Sequence, residues 1–258
     1  MKSSPGNKKV IVAIHGLGSA ATVWNPIRNK FDATVEFLTV ELPGHGNSTV
    51  KATREMNPEK LAIQIHQDLL EKGVDDYHLL GNSLGGWIAL EMSALFPKEV
   101  RSVTALAPAG LWYFTKKQFN FELEMGRFLA KLTYKVAPAL CQFKVLRWIG
   151  FRGVSPQWKK LSIQTCIDAV VAMGSASGYS ALSNAVVGYK FDKKINASIP
   201  TTIVFGDSDK ILPAKNCQEK SLAPTHARWN IFEKCGHAPM WDGEETTAKI
   251  LKEYLANF

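Results

Sequence analysis

No Cys-x-x-Cys pair, no His-Glu-x-x-His pair and no mixed Cys/His cluster occurs in the 258 residues, and those absences exclude the common zinc sites. The four cysteines, Cys141, Cys166, Cys217 and Cys235, stand apart in the chain and are expected as reduced, partly buried thiols. Long apolar runs are missing as well. After the basic opening, only Val10 to Ile14 precede His15, too few residues for a signal-peptide core or a membrane span. No later run reaches membrane length, so the expectation is a soluble, cytoplasmic protein with no membrane span. Low-complexity tracts and internal repeats are also absent. A hydrophobic fraction of 46% with 21% charged residues is that of an ordinary globular protein, and the length suits one α/β unit with a modest insertion. No metal and no other cofactor is expected.

Acidic residues are scarce in one segment. Residues 111–196 carry 13 Lys/Arg against 4 Asp/Glu, a net +9, whereas the remainder carries 18 against 19, a net −1. The chain's formal charge of +8 therefore resides in that segment. No nucleic-acid-binding motif accompanies it, and solvated lysines account for most of it.

What is present is an alternation of short apolar runs and amphipathic stretches. Val10–Ile14, Val35–Val40, Tyr77–Leu80, Val100–Ala107, Thr201–Phe205 and Arg228–Phe232 read as strands, the first of them apolar throughout, as a strand covered on both faces must be. Helical spacing predicts helices over Pro58–Leu70, Leu84–Phe96 and Glu244–Leu255. This alternation predicts an α/β fold with a mostly parallel sheet flanked by helices. From Leu111 to Ala197 the spacing is helical throughout, a helical insertion between two strands. Its aromatics (Trp112, Tyr113, Phe114, Phe119, Phe121, Trp148, Phe151, Trp158) either pack against the sheet unit or line an apolar pocket.

Gly81-Asn82-Ser83-Leu84-Gly85 matches Gly-x-Ser-x-Gly, which sets a serine on a sharp strand-to-helix turn. An apolar strand enters it and an apolar helix leaves it, so the Ser83 hydroxyl stands clear of the sheet beside a helix N-terminus. A serine needs a base to become a nucleophile, and histidine suits that task near neutrality. His237, in Lys-Cys-Gly-His-Ala-Pro-Met-Trp-Asp after a late strand, is the leading candidate, with His226 the alternative. His66 and His78 fall within a helix and a strand and are read as structural. The imidazole in turn needs a carboxylate, and Phe205-Gly206-Asp207-Ser208-Asp209 offers both Asp207 and Asp209.

In the order Ser, Asp, His the chain resembles the α/β-hydrolase superfamily. The resemblance extends to His15-Gly16-Leu17-Gly18 as an oxyanion loop, Gly44-His45-Gly46-Asn47-Ser48 as a glycine-rich turn, and Gly206-x-x-Asp209-x-x-x-Pro213 as an acid loop. It implies Asp209 as the triad acid, the backbone N–H groups of Leu17 and Leu84 as the oxyanion hole, and a structural His15. It also implies a core of residues 1–110 and 198–258 with 111–197 as a helical cap. Glu41 stands where many members carry aspartate. The nine residues before Val10 leave no room for the usual opening hairpin, so a sheet shortened at that edge is expected.

The implied reaction is hydrolysis of a carboxylic ester of a small molecule, with a small or medium acyl group. Gly81-Asn82-Ser83-x-Gly-Gly with Cys235-Gly236-His237 is also similar to the meta-cleavage-product hydrolases, which cleave a carbon–carbon bond of a dienoic keto acid. Those usually carry a tryptophan where this chain has Ala238. A hydrolase-like ligand receptor is the reading from another class, and a lipase seated on a membrane surface a further one, motivated by the basic, aromatic insertion.

Overall fold

Lys9–Ile14 (β1), Val35–Val40 (β2), Tyr77–Asn82 (β3), Val100–Leu106 (β4), Thr201–Gly206 (β5) and Arg228–Phe232 (β6) pair side by side, all parallel, in the order β2-β1-β3-β4-β5-β6. These are the six runs expected from the sequence, in a computed structural model that describes residues 8–113 and 121–257. The register of β1 on β3 aligns Ile14 with Gly81. That alignment brings the loop after β1 and the turn after β3 to the same edge of the sheet, outside the strands' carboxyl ends, where ligands of such sheets bind.

Alternate residues of the central strands feed two cores. Val12 and Ile14 join Leu79, Val103, Ala105, Ile203 and Phe205 on one face. Ile11 and Ala13 join Leu80, Leu106 and Val204 on the other. Strands β3 and β5 are buried at every position, which explains why their sequences lack the polar alternation of a half-exposed strand. Helices Pro58–Glu71 (α1) and Leu84–Leu95 (α2) cover the first face. Asn57 caps α1 by accepting the Lys60 N–H at 2.9 Å. A C-terminal helix, Glu244–Ala256, covers the second face through Ile250, Leu251 and Leu255, each worth about 1.5–3 kcal/mol when fully buried. The four cysteines are free and buried, and burial pushes the thiols of Cys166 and Cys217 up to about 11 and about 12.

Between β4 and β5 lie Phe121–Thr133 (α3), Lys144–Phe151 (α4), Ile163–Ser175 (α5) and Tyr179–Ala185 (α6), linked by shorter helical turns. Helical structure ends at Ala185, not at Ala197 as the spacing suggested. From there the chain takes a turn at Gly188, with φ of 83°, and runs irregularly to β5. The reason is tertiary: this return stretch bonds to the outgoing one, Phe191 N–H to Gly110 O at 2.9 Å and Trp112 Nε1 to Tyr189 O at 2.9 Å. The aromatics of the insertion divide. Trp112 packs edge-on against Trp87 and Phe151 against Trp241, whereas Tyr113 and Trp148 are exposed. Phe114 and Phe119 lie outside the described residues.

Candidate active site

Gly81 and Gly85 have to be glycines. A Cβ on Gly81 would lie 2.2 Å from the Gly85 carbonyl oxygen, and one on Gly85 would lie 2.0 Å from that of Ile14. The turn between them is therefore closed tightly against the end of β1. Ser83 carries the strain of that closure, with φ 55° and ψ −117°, a left-handed conformation that costs a non-glycine residue about 1–3 kcal/mol. Its backbone is held by three bonds, Ser83 N–H to Leu106 O at 2.9 Å, Ala109 N–H to Ser83 O at 3.0 Å and Trp87 N–H to Ser83 O at 3.1 Å. Ser83 stands at the N-cap of α2 and makes no capping bond with its side chain, so the hydroxyl is left partly exposed at the positive end of a twelve-residue helix.

His237 meets Asp209 directly. Nδ1 of the imidazole donates to Asp209 Oδ2 at 2.9 Å, which leaves Nε2 with a lone pair to accept a proton. The other carboxylate oxygen, Oδ1, accepts from the N–H groups of Ile211 and Leu212 at 2.9 and 2.8 Å, so Asp209 is fixed at both ends and buried. Asp207 does something else. It is exposed and accepts from Lys234 N–H at 3.0 Å and Cys235 N–H at 3.2 Å. These backbone bonds hold its carboxyl below the usual range and tie the acid loop to the histidine loop.

Ser83 and His237 are joined through a neighbour. The Asn82 amide donates to Leu106 O and to His237 O, both at 3.1 Å, which pins the histidine loop beside the serine turn. Among the described residues no hydrogen bond joins the Ser83 hydroxyl to the imidazole, a contact that often tightens only when substrate is bound. His226 instead bonds Ile199 O, His66 pairs with Tyr77 and stacks on Phe96, and His78 bonds Ser102. Each of these imidazoles therefore has a partner of its own in the fold.

The loop after β1 abuts the serine turn: a Cβ on Gly16 would lie 3.0 Å from that of Ser83. Among the described residues neither Leu17 N–H nor Leu84 N–H has an acceptor, so both are free to donate. Two histidines shape the loop. His15 Nδ1 bonds Gly16 O at 2.8 Å and its Nε2 accepts from Leu42 N–H at 3.1 Å. His45 Nδ1 bonds Pro43 O, and its Nε2 accepts from Gly18 N–H at 3.0 Å. Burial, with His15 adding to it, lowers the His45 imidazole to about 4, so near neutrality it remains an acceptor and the loop keeps its anchor.

Three contacts from the insertion reach the loops around Ser83. Val154 O accepts the His237 N–H at 2.9 Å, and Asp242 accepts Gly236 N–H at 2.8 Å while also bonding the Ser155 hydroxyl. On the other side, Met173 of α5 fills the space over Gly18, its sulfur 2.5 Å from where a Cβ would stand. The insertion thus grips the histidine loop and the loop after β1 together. The contacts of Val154 with His237, Ser155 with Asp242 and Met173 with Gly18 all cross long stretches of chain, and none has a local sequence signature.

A cleft of about 470 Å³ opens beside the connections to the insertion, between Asn57–Glu59, Trp87, Glu91, Tyr113 and 188–193, and its lining includes none of Ser83, Asp209 and His237. Glu91 accepts from Trp87 Nε1 at 2.9 Å, while its Oε2 is buried without a hydrogen bond, and burial raises its carboxyl to about 7. Its contribution to stability is fully present below about pH 4.5, the unfolded value, and is lost as the pH rises through about 7. Glu91→Gln keeps the bond to Trp87 but cannot ionise. Urea titrations should find it gaining on the native chain by on the order of 2 kcal/mol between pH 4.5 and 7.5. A constant difference across that window would show that Glu91 titrates normally.

A parallel sheet with a serine on a strained strand-to-helix turn, and a bonded Asp/His pair at the same edge, defines the class of α/β hydrolases. The profile described as "Alpha/beta hydrolase family" matches residues 11–250, and the chain belongs to that family. Mouse (Mus musculus) monoacylglycerol lipase ABHD6 is 24% identical over 267 residues, covering 99% of this chain and 78% of the relative. Lipase 3 of Moraxella sp. is 25% identical over 251 residues, covering 95% and 76%. Among solved structures, a bacterial membrane phospholipase A superposes with a TM-score of 0.73 at 20% identity, covering 98% of this chain and 80% of the other. Carboxylesterase CesB of Bacillus subtilis gives 0.69 at 15% identity, covering 99% and 87%. These structural likenesses extend the fold assignment. The relatives are lipases and esterases.

Proposed function

We propose that the chain is a serine hydrolase of carboxylic esters, with residues 111–197 as a cap over a site carried by residues 1–110 and 198–258. The observation that carries the reading is the Nδ1–Oδ2 bond of His237 to Asp209 at 2.9 Å, on a loop that Asn82 ties to the strained Ser83 turn. Ser83 Oγ attacks the ester carbonyl carbon as His237 Nε2 takes its proton, and Asp209 stabilises the imidazolium. The carbonyl oxygen, now negative, receives the N–H groups of Leu17 and Leu84 at the N-terminus of α2. Collapse breaks the bond to the alkoxy oxygen, which leaves with the proton from His237. Water then gives a proton to His237 as its oxygen bonds the acyl carbon, the bond from that carbon to Ser83 Oγ breaks, and Oγ takes the proton from His237, which frees the acid and restores Ser83.

Monoacylglycerol lipases and other lipases among the relatives support an uncharged ester with an apolar acyl chain. We place that chain under Met173, which packs on the loop of Leu17. The test is a panel of p-nitrophenyl esters of increasing acyl length, a monoacylglycerol and a dienoic keto acid, run beside fluorophosphonate labelling. Ester turnover with an optimum in acyl length, and labelling that an ester substrate competes away, is the expected result. Turnover of the keto acid alone would give the chain carbon–carbon bond cleavage instead. A single slow turnover with retained product would make it a receptor.

A further inference from the structure

Met125, Phe128, Leu129 and Leu132 recur along α3 at the spacing that puts them on one stripe of a helix. In a globular protein such a stripe faces the core. Among the described side chains of α3 it is Ala130 that is buried, while Phe128 is 58% and Leu132 66% exposed and Met125 and Leu129 are exposed as well. The pattern continues along the chain: Val136 and Phe143 are exposed, and on α4 Val145, Leu146, Trp148 and Ile149 are exposed while Phe151 is buried. Exposed apolar side chains thus run from Met125 to Ile149 on two successive amphipathic helices, far more than the scattered apolar residues of an ordinary surface.

Cations lie among them. Lys131, Lys135, Lys144, Arg152 and Lys159 are exposed, and none of them pairs with a carboxylate among the described residues. Arg152 lies over the Trp148 ring at 4.3 Å and Lys159 over Trp158 at 5.9 Å, an arrangement suited to a membrane interface, with the apolar ring inward and the charge at headgroup level. We propose that the exposed apolar side chains of α3 and α4, with the cations among them, dock on the surface of an anionic lipid bilayer. The charge decides between occupants. A second copy would set a segment of net +9 against itself, and a nucleic acid would leave the aliphatic stripe in water. An anionic bilayer satisfies both features, since its headgroups attract each nearby Lys or Arg and its acyl boundary takes the apolar side chains. Because α3 packs on α5, which carries Met173 over Gly18, docking would also place the bilayer one helix layer from the loop after β1.

The test is co-sedimentation of the full chain with phosphatidylcholine vesicles, with and without phosphatidylglycerol. At low salt, binding to the anionic vesicles is expected to be at least about tenfold tighter, and to weaken as salt is raised. Leu132→Asp and Phe143→Asp, two separate variants at exposed sites, should each lower binding several-fold with the thermal midpoint unchanged. Lys131→Gln combined with Lys135→Gln should remove most of the preference for anionic lipid. Equal binding to both vesicle types, no binding to either, or binding indifferent to Leu132→Asp and Phe143→Asp would overturn the proposal. A dimer in solution that Leu132→Asp dissociates would also overturn it, and would assign the face to a second copy.

Discussion

Replacing Ser83 by glycine is expected to abolish fluorophosphonate labelling, lower ester kcat by roughly 10⁴- to 10⁶-fold, and leave a more stable protein. The first two effects follow from loss of the proposed nucleophile. The third follows from the backbone: Ser83 sits at φ 55° and ψ −117°, a conformation glycine adopts without the steric cost of a Cβ. The gain should be about 1 kcal/mol, which raises the thermal midpoint of a chain this size by a few degrees. Ser83→Ala should be as inactive as the glycine variant without the gain, because alanine keeps the Cβ. Hydrolysis retained by Ser83→Gly would remove Ser83 from the chemistry, and equal midpoints for the two variants would remove the strain.

Asp209→Asn is expected to lower kcat about 10⁴-fold with little change in KM, since an amide there no longer favours the imidazole tautomer whose Nε2 is free. Asp207→Asn is the internal control. Two residues away, it should keep kcat within a few-fold and lower the thermal midpoint by a few degrees at most, because its bonds go to the backbone of Lys234 and Cys235 and to the Ser208 hydroxyl and none goes to the imidazole. Steady-state kinetics on both variants checks this. A larger loss of kcat in Asp207→Asn than in Asp209→Asn would exchange their roles.

Much of the fold was legible because the first strand announces its burial locally. Val-Ile-Val-Ala-Ile has no polar residue to turn toward water, so Val10–Ile14 could only be covered on both faces, and the structure covers them with two cores. The Gly-Asn-Ser-Leu-Gly turn was legible for a related reason, since its glycines are required by contacts with residues a few positions away or at the end of the paired strand. The choice between Asp207 and Asp209 was open on the residues alone. Both follow a strand, and only the path of the histidine loop decides which carboxylate faces the imidazole and which faces a backbone.

The insertion was the least legible part, and α3 shows why. Its apolar spacing predicted a helix, and Phe121–Thr133 is one, but periodicity cannot say whether a stripe is covered. The same limit applies to the return stretch after Ala185, whose conformation is set by bonds to Gly110 and Trp112, and to Asp242, whose partner Ser155 is 87 residues away.

By itself the sequence determined the strands, the helices flanking them and the residue types at the serine turn, because hydrophobic periodicity and glycine requirements act over a few neighbouring residues. The tertiary structure alone decided which carboxylate meets His237, how the insertion grips the loops on either side of Ser83, and which apolar stripe is left facing solvent. Those outcomes depend on distances between segments far apart in the chain, and closing such distances is the work of the packed core, not of any local pattern.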